Sequence, residues 1–192
     1  MKLTRLGVTL CLAAMLFLSA CQAKVTMAPP ETFDISGQKI TFAPPPDSWG
    51  SKTIASIPPE NSGSNSKTPE TVVSFKPDFP NSSLTVSGLV NWPQASWDEN
   101  QEETNKFTEQ VQNQILKRSQ GEIVKQRQTK LDNEIALELE VRYMDATTPM
   151  HGKQIYAIHN KTLMVISLNV PEDKWNENAS VYDQLVKSWK FN

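Results

Sequence analysis

Between Ile135 and Tyr143 the side chains alternate without a break. Ile135, Leu137, Leu139, Val141 and Tyr143 fall on one side of an extended chain, and Ala136, Glu138, Glu140 and Arg142 on the other. A helix would scatter that set around its circumference, so the segment is a strand. One apolar and one polar face place it in an antiparallel sheet with one wet side, where Glu138 and Glu140 serve solvation. Asp132-Asn133 just ahead tolerates the positive φ angles of a tight turn, which makes Glu122 to Leu131 the hairpin partner. Lys153 to Ile158 and Leu163 to Val170 form a second hairpin about His159-Asn160-Lys161. The nearly unbroken Leu163-Met164-Val165-Ile166 fits a central strand covered on both faces, and Pro171 ends the sheet.

Two helical patterns frame these hairpins. Ser96-Trp97-Asp98-Glu99 is a capping box, and Thr104, Phe107, Val111, Ile115 and Leu116 form an apolar stripe after it. Lys117, Arg118 and Gly121 suit the far end, so a helix is predicted from Trp97 to Ser119. Val181, Leu185 and Trp189, with Tyr182 and Val186 beside them, mark a final helix. Earlier in the chain, Phe33, Ile35, Ile40 and Phe42 flank Ser36-Gly37-Gln38 as strand, turn and strand, or as one kinked strand, until Pro44-Pro45-Pro46. Thr71 to Lys76 and Ser83 to Val90 regain strand character, and Gly88 marks a bulge or a close approach. Ser56 to Glu70, rich in Pro, Ser, Asn and Gly, reads as a mobile loop. Strands, helix, two long hairpins and helix predict an α+β domain with helices laid against an antiparallel sheet.

The chain opens differently. Lys2 and Arg5, an apolar run from Leu6 to Leu18, and the small pair Ser19-Ala20 make a secretory signal peptide over residues 1–20. Leu18-Ser19-Ala20-Cys21 resembles the bacterial lipobox, in which the cysteine is lipidated and becomes the new amino terminus. A plain secretory signal or an uncleaved anchor is the alternative. The resemblance to bacterial lipoproteins further implies, with Gln22 rather than Asp after that cysteine, release to the outer membrane if the organism has two. Gln22 to Thr32, with Pro29-Pro30, reads as a flexible tether, and the domain as 33–192. Losing Lys2 and Arg5 takes the formal net charge from -2 to -4, a poor match for nucleic acid or for an anionic membrane surface. With Cys11 removed and Cys21 acylated, no thiol is left for a disulfide, a thiolate metal site or a nucleophile.

Candidate chemistry is sparse, and the residues call for no cofactor or metal. His151 sits in a predicted connection and His159 at a predicted turn, eight apart, without the i, i+4 spacing of a zinc pair. Both read as surface histidines. There is no G-x-S-x-G elbow and no phosphate loop. Asp98, Glu99, Glu102 and Glu103 suit the positive end of the first helix more than a cation site. Trp92 and Trp97 bracket the start of that helix; exposed, they would form an aromatic platform for a partner, whereas packed they cap the edge of the core.

Ile40-Thr41-Phe42-Ala43-Pro44-Pro45-Pro46-Asp47-Ser48-Trp49 is similar to the opening of the PsbP-like family. The stretches Gly152-Lys153-Gln154, Leu168-Asn169-Val170-Pro171 and Val186-Lys187-Ser188-Trp189 are similar to its last hairpin and closing helix. Within the family the chain resembles DcrB-type lipoproteins. The resemblance implies an α/β/α sandwich on a central antiparallel sheet and a mostly non-catalytic, accessory role. The expected function is therefore a lipid-anchored envelope protein that binds another envelope protein. A carrier of a small apolar ligand, or an envelope enzyme with an unrecognised site, is the alternative.

Overall fold

A computed structural model of the chain describes residues 25–57, 70–97, 101–119 and 121–192, with the side chains of 101, 103 and 114–119 outside that description. The first five strands are β1 (Glu31–Ile35), β2 (Gln38–Phe42), β3 (Gly50–Ile57), β4 (Glu70–Pro77) and β5 (Ser83–Leu89). Helix α1 (Gln101–Ser119) leads into β6 (Glu122–Leu131), β7 (Glu134–Asp145), β8 (Thr148–His159) and β9 (Thr162–Pro171). Helix α2 (Trp175–Ser188) and the short β10 (Lys190–Phe191) complete an α+β domain.

Seven strands form one sheet in the order β3-β4-β5-β9-β8-β7-β6, every neighbouring pair antiparallel. Both predicted hairpins are present. β6 and β7 turn at Asp132-Asn133, and β8 and β9 at Asn160-Lys161, whose φ angles are 48° and 57°. Lys190 binds the Asp132 carboxylate at 2.6 Å, which holds that acid below its usual range and ties β10 to the first turn. β9 is the middle strand, as its apolar run required, with Leu163, Met164 and Ile166 buried.

β8 starts at Thr148, so His151 lies inside a strand and not in a connection. β3 was not legible in the sequence. It is an edge strand with nearly every side chain exposed, so no apolar alternation marks it. It and β4 absorb Ser56, Ile57 and Glu70 from the expected loop, whose remaining residues 58–69 lie outside the described ones. A Cβ on Gly50 would stand 1.8 Å from the Lys76 carbonyl oxygen, so only glycine can open this strand.

β1 and β2 resolve the first ambiguity as a hairpin, with Ser36 and Gly37 at φ 52° and 82°. They stay out of the main sheet and join β10 in a separate one, ordered β1-β2-β10. Their inward residues Phe33, Ile35, Ile40 and Phe42 are buried in the core shared with β4, β5, β9 and α2. Ser36 fastens the two sheets: its hydroxyl donates to the Gly88 carbonyl at 2.6 Å and accepts the Thr71 amide hydrogen at 3.0 Å. Gly88 is thus a close approach and not a bulge, because β5 keeps an unbroken register with β9 through it. A Cβ there would press on Ile35 and Thr162 at 3.2 Å.

α1 is described from Gln101, Trp97 stands in a turn, and residues 98–100, with Glu99 of the capping box, lie outside the described ones. Its Phe107 and Val111 pack on Leu137, Leu139, Tyr156, Ile158 and Leu163. α2 buries Val181, Tyr182 and Leu185 in the other cluster, with Ala136, Ile155 and Ala157. Burying Val181 and Leu185 stabilises the fold by about 1.5–3 kcal/mol each. The helices therefore meet residues of opposite parity on β7 and β8. The expected wet face is a correction: Ala136 is fully buried and Glu138 only 5% exposed, because α2 covers them.

The order of the chain also begins before Phe33. Val25 and Met27 pack against the core, the Ala28 amide donates to the Pro44 carbonyl at 2.9 Å, and the Gln184 side-chain amide donates to the Val25 carbonyl at 3.1 Å. The stretch expected as a tether up to Thr32 is thus part of the body from Val25 onward, and Glu31-Thr32 belongs to β1.

Candidate functional site

β8, β7 and the segment leading into α2 converge on His151. Its Nε2 lies 2.9 Å from Glu140 Oε1, and its Nδ1 lies 3.1 Å from Glu172 Oε2, a close approach without hydrogen-bond alignment. Trp175, the first residue of α2, stacks flat on the imidazole with centroids 3.6 Å apart. Arg142, opposite His151 on β7, holds the other Glu172 oxygen at 3.2 Å. His151 is 1% exposed, so the expected surface histidine is instead the centre of a packed cluster.

His159 ends β8 beside the predicted turn and is partly covered, its side chain 19% exposed. Its Nδ1 meets Glu134 at 2.7 Å, and its ring stacks on Phe191 of β10. Both histidines bind a carboxylate from β7 and an aromatic from the end of the chain. Neither signal is visible locally, since the partners come from distant segments. Chemically, the His151 ring nitrogens face carboxylates and one ring face is covered, so the cluster locks β7, β8 and α2 together. Among the described residues, no group of three or more His, Cys, Asp or Glu could hold a metal ion. An open crevice of about 480 Å³ lies beside the cluster, lined by Glu122, Arg142, Met144 and Glu172 among others.

A second charged cluster fills the space under α2. Arg127 Nε donates to Glu138 Oε1 at 2.7 Å, and Lys153 Nζ donates to Asp183 at 2.7 Å while standing 3.8 Å from Glu138 Oε2. Hydrogen bonding to Glu138 raises the Arg127 pKa further. The Lys153 ammonium also sits 5.1 Å from the Tyr182 ring centroid. Burial pushes the Tyr182 phenol well above its ordinary value.

Trp97 and Trp92 do not form an exposed pair. Trp97 is 2% exposed; its indole N–H donates to the Tyr156 carbonyl at 2.9 Å and its ring leans on Phe107. Trp92 is half-buried and meets the same Phe107 edge-on. They floor α1, as packed tryptophans would. Beside them a crevice of about 340 Å³ opens between α1 and the β6–β7 hairpin, lined by Trp97, Thr104, Thr108, Gln126, Gln128 and Leu137 among others. Of the acidic set, Glu102 is exposed and pairs with Lys106 at 2.8 Å, whereas Asp98, Glu99 and the Glu103 side chain lie outside the described residues. So do Leu18, Ser19, Ala20 and the lipidation candidate Cys21.

A seven-stranded antiparallel sheet, a small second sheet and one helix against each parity of side chains make up this α+β domain. Solved structures share it. Cyanobacterial PsbP (CyanoP) from Synechocystis sp. PCC 6803 superposes with a TM-score of 0.58 at 16% identity, over 88% of this chain and 95% of its own. LpqN of Mycobacterium tuberculosis, involved in cell envelope biogenesis, gives 0.50 at 13% identity, over 85% of this chain and 91% of its own. The protein of unknown function PA94 from Pseudomonas aeruginosa gives 0.44 at 12% identity, over 81% and 92%. No family model and no curated protein matches the chain. At these identities the likeness is one of fold.

Proposed function

We propose that the chain is a lipid-anchored protein of the cell envelope whose domain is a non-catalytic accessory module, binding another envelope protein. The observation that carries this is Leu18-Ser19-Ala20-Cys21 at the end of an apolar signal, directly ahead of the domain. The PsbP-like fold, shared with an envelope-biogenesis protein, supports it. The same packing supports the α/β/α layering that the resemblance implies, with α1 on one side and α2 with the small sheet on the other. Anchoring is through Cys21, on the outer membrane where there are two. No helix among the described residues is long and apolar enough to cross a membrane.

The expected result of Cys21→Ala, exported behind a plain cleavable signal in place of residues 1–20, is loss of the lipid mass from the mature protein and a shift of at least about tenfold from the membrane to the aqueous fraction. Two or more acyl chains anchor stably, because each buried methylene contributes about 0.8 kcal/mol. Crosslinking in native membranes should then capture a defined envelope protein with the wild type and lose it with the variant. Unchanged membrane association in Cys21→Ala would sink the anchor.

The crevice beneath α1 favours a second reading, a carrier of a small ligand. Its volume of about 340 Å³ lies at the low end of small-molecule sites. Trp97 and Leu137 supply apolar contact, and Thr108, Gln126 and Gln128 supply polar groups. On this reading the protein, released gently from membranes, carries a co-purifying small molecule in native mass spectra, and Thr108→Trp removes it. A spectrum of ligand-free protein would discard the carrier.

A further inference from the structure

We infer that the anchor holds the α2 side of the domain toward the bilayer, so that α1 faces away from the membrane. This rests on the lipidation of Cys21 proposed above. The chain is packed from Val25 onward, and the Val25 carbonyl is held by Gln184 on α2. Only Gln22, Ala23 and Lys24 separate it from Cys21. Four Cα steps span at most about 14 Å even when fully extended. With the 3.1 Å hydrogen bond from Gln184 to the Val25 carbonyl added, an anchored Cys21 keeps the Gln184 side chain within about 20 Å of the lipid headgroups.

The opposite side cannot reach as far down. Phe107 and Val111 of α1 pack on Leu137 and Leu139, while Val181 and Leu185 of α2 pack with Ala136, so the sheet lies between the helices. With the sheet parallel to the bilayer, two layer spacings put α1 on the order of 20 Å farther from it than α2. A tether running to Thr32 would have allowed either face to turn down; three residues do not. Charge plays little part, since Lys187, Asp183 and Glu177 are all exposed on α2. Chain length sets the orientation.

Depth-dependent quenching tests it. The lipidated mature chain carries no free thiol, so Ser180→Cys on α2 and Glu109→Cys on α1 each give one labelling site. Glu177→Cys, two turns from Gln184, is the substitute if Ser180→Cys folds poorly. Each labelled protein goes into phosphatidylethanolamine–phosphatidylglycerol vesicles that carry a headgroup-region spin-label quencher. The expected result is at least about threefold stronger quenching on α2, because the short connection holds that label near the headgroups. A ten-residue Gly-Ser insertion after Lys24 should erase the difference, since such a linker lets either face approach. Equal quenching of the two labels in a protein whose mass shows the lipid would overturn the orientation while leaving the anchor standing. A mass without lipid would overturn the anchor and the orientation with it.

Discussion

Trp189→Ala should lower the stability of the domain by about 3–5 kcal/mol, the range for removing a buried aromatic and leaving a cavity. Trp189 is 1% exposed and follows directly on α2 in extended conformation. Its indole stacks on Phe42 of the small sheet at 5.3 Å and meets Phe191, near the end of the chain, edge-on. One side chain therefore joins the helix, the three-stranded sheet and the core of the large sheet. A loss of that size consumes much of the 5–15 kcal/mol typical of a domain. Trp189→Phe keeps a ring against Phe42 and surrenders no hydrogen bond, since the indole N–H is buried without a partner, so it should cost about half as much. Urea unfolding followed by circular dichroism measures both. A loss under about 1 kcal/mol for the alanine variant would show that the small sheet is held by other contacts.

The cluster under α2 gives the second large effect. Glu138→Leu leaves the Lys153 ammonium, itself 11% exposed, with Asp183 as its remaining carboxylate, and releases Arg127. Breaking a fully buried pair costs about 3–5 kcal/mol, and because the Arg127 and Asp183 side chains are 48% and 58% exposed, about 2–3 kcal/mol is expected here. Lys153→Met should cost somewhat less, since Glu138 retains Arg127. The double variant Glu138→Leu/Lys153→Met should be more stable than the sum of the two losses predicts, by about 1 kcal/mol or more, because the charges it leaves unpaired, Arg127 and Asp183, are about half exposed and no buried charge is stranded. Two small and additive losses would mean that the cluster behaves as the solvated face the alternation suggested.

That cluster marks where sequence reasoning stops. Alternation from Ile135 to Tyr143 located a strand and separated its faces correctly, because the period of two is a property of the extended backbone alone. It could not say that both faces are covered. Glu138 looks solvated in one dimension, and only the arrival of α2 from residues 175–188 makes it a buried partner for Arg127 and Lys153. His151 misled for the same reason, since Glu140, Glu172 and Trp175 come from other elements, as do Glu134 and Phe191, the partners of the partly exposed His159. β3 was missed because an exposed edge strand buries nothing and so carries no apolar pattern.

By itself the sequence determined the hairpins, the middle strand, the two helices and the α+β class, since periodicity, caps and turn residues act through neighbours in the chain. It also carries Leu18-Ser19-Ala20-Cys21, on which the proposed anchor rests. Tertiary structure alone decided that β1, β2 and β10 form a sheet of their own, that Trp97 floors α1, and that the chain is packed from Val25 onward. Each of those depends on side chains more than fifty residues apart meeting in a close-packed interior, where the favourable contact exists only once the whole fold is assembled.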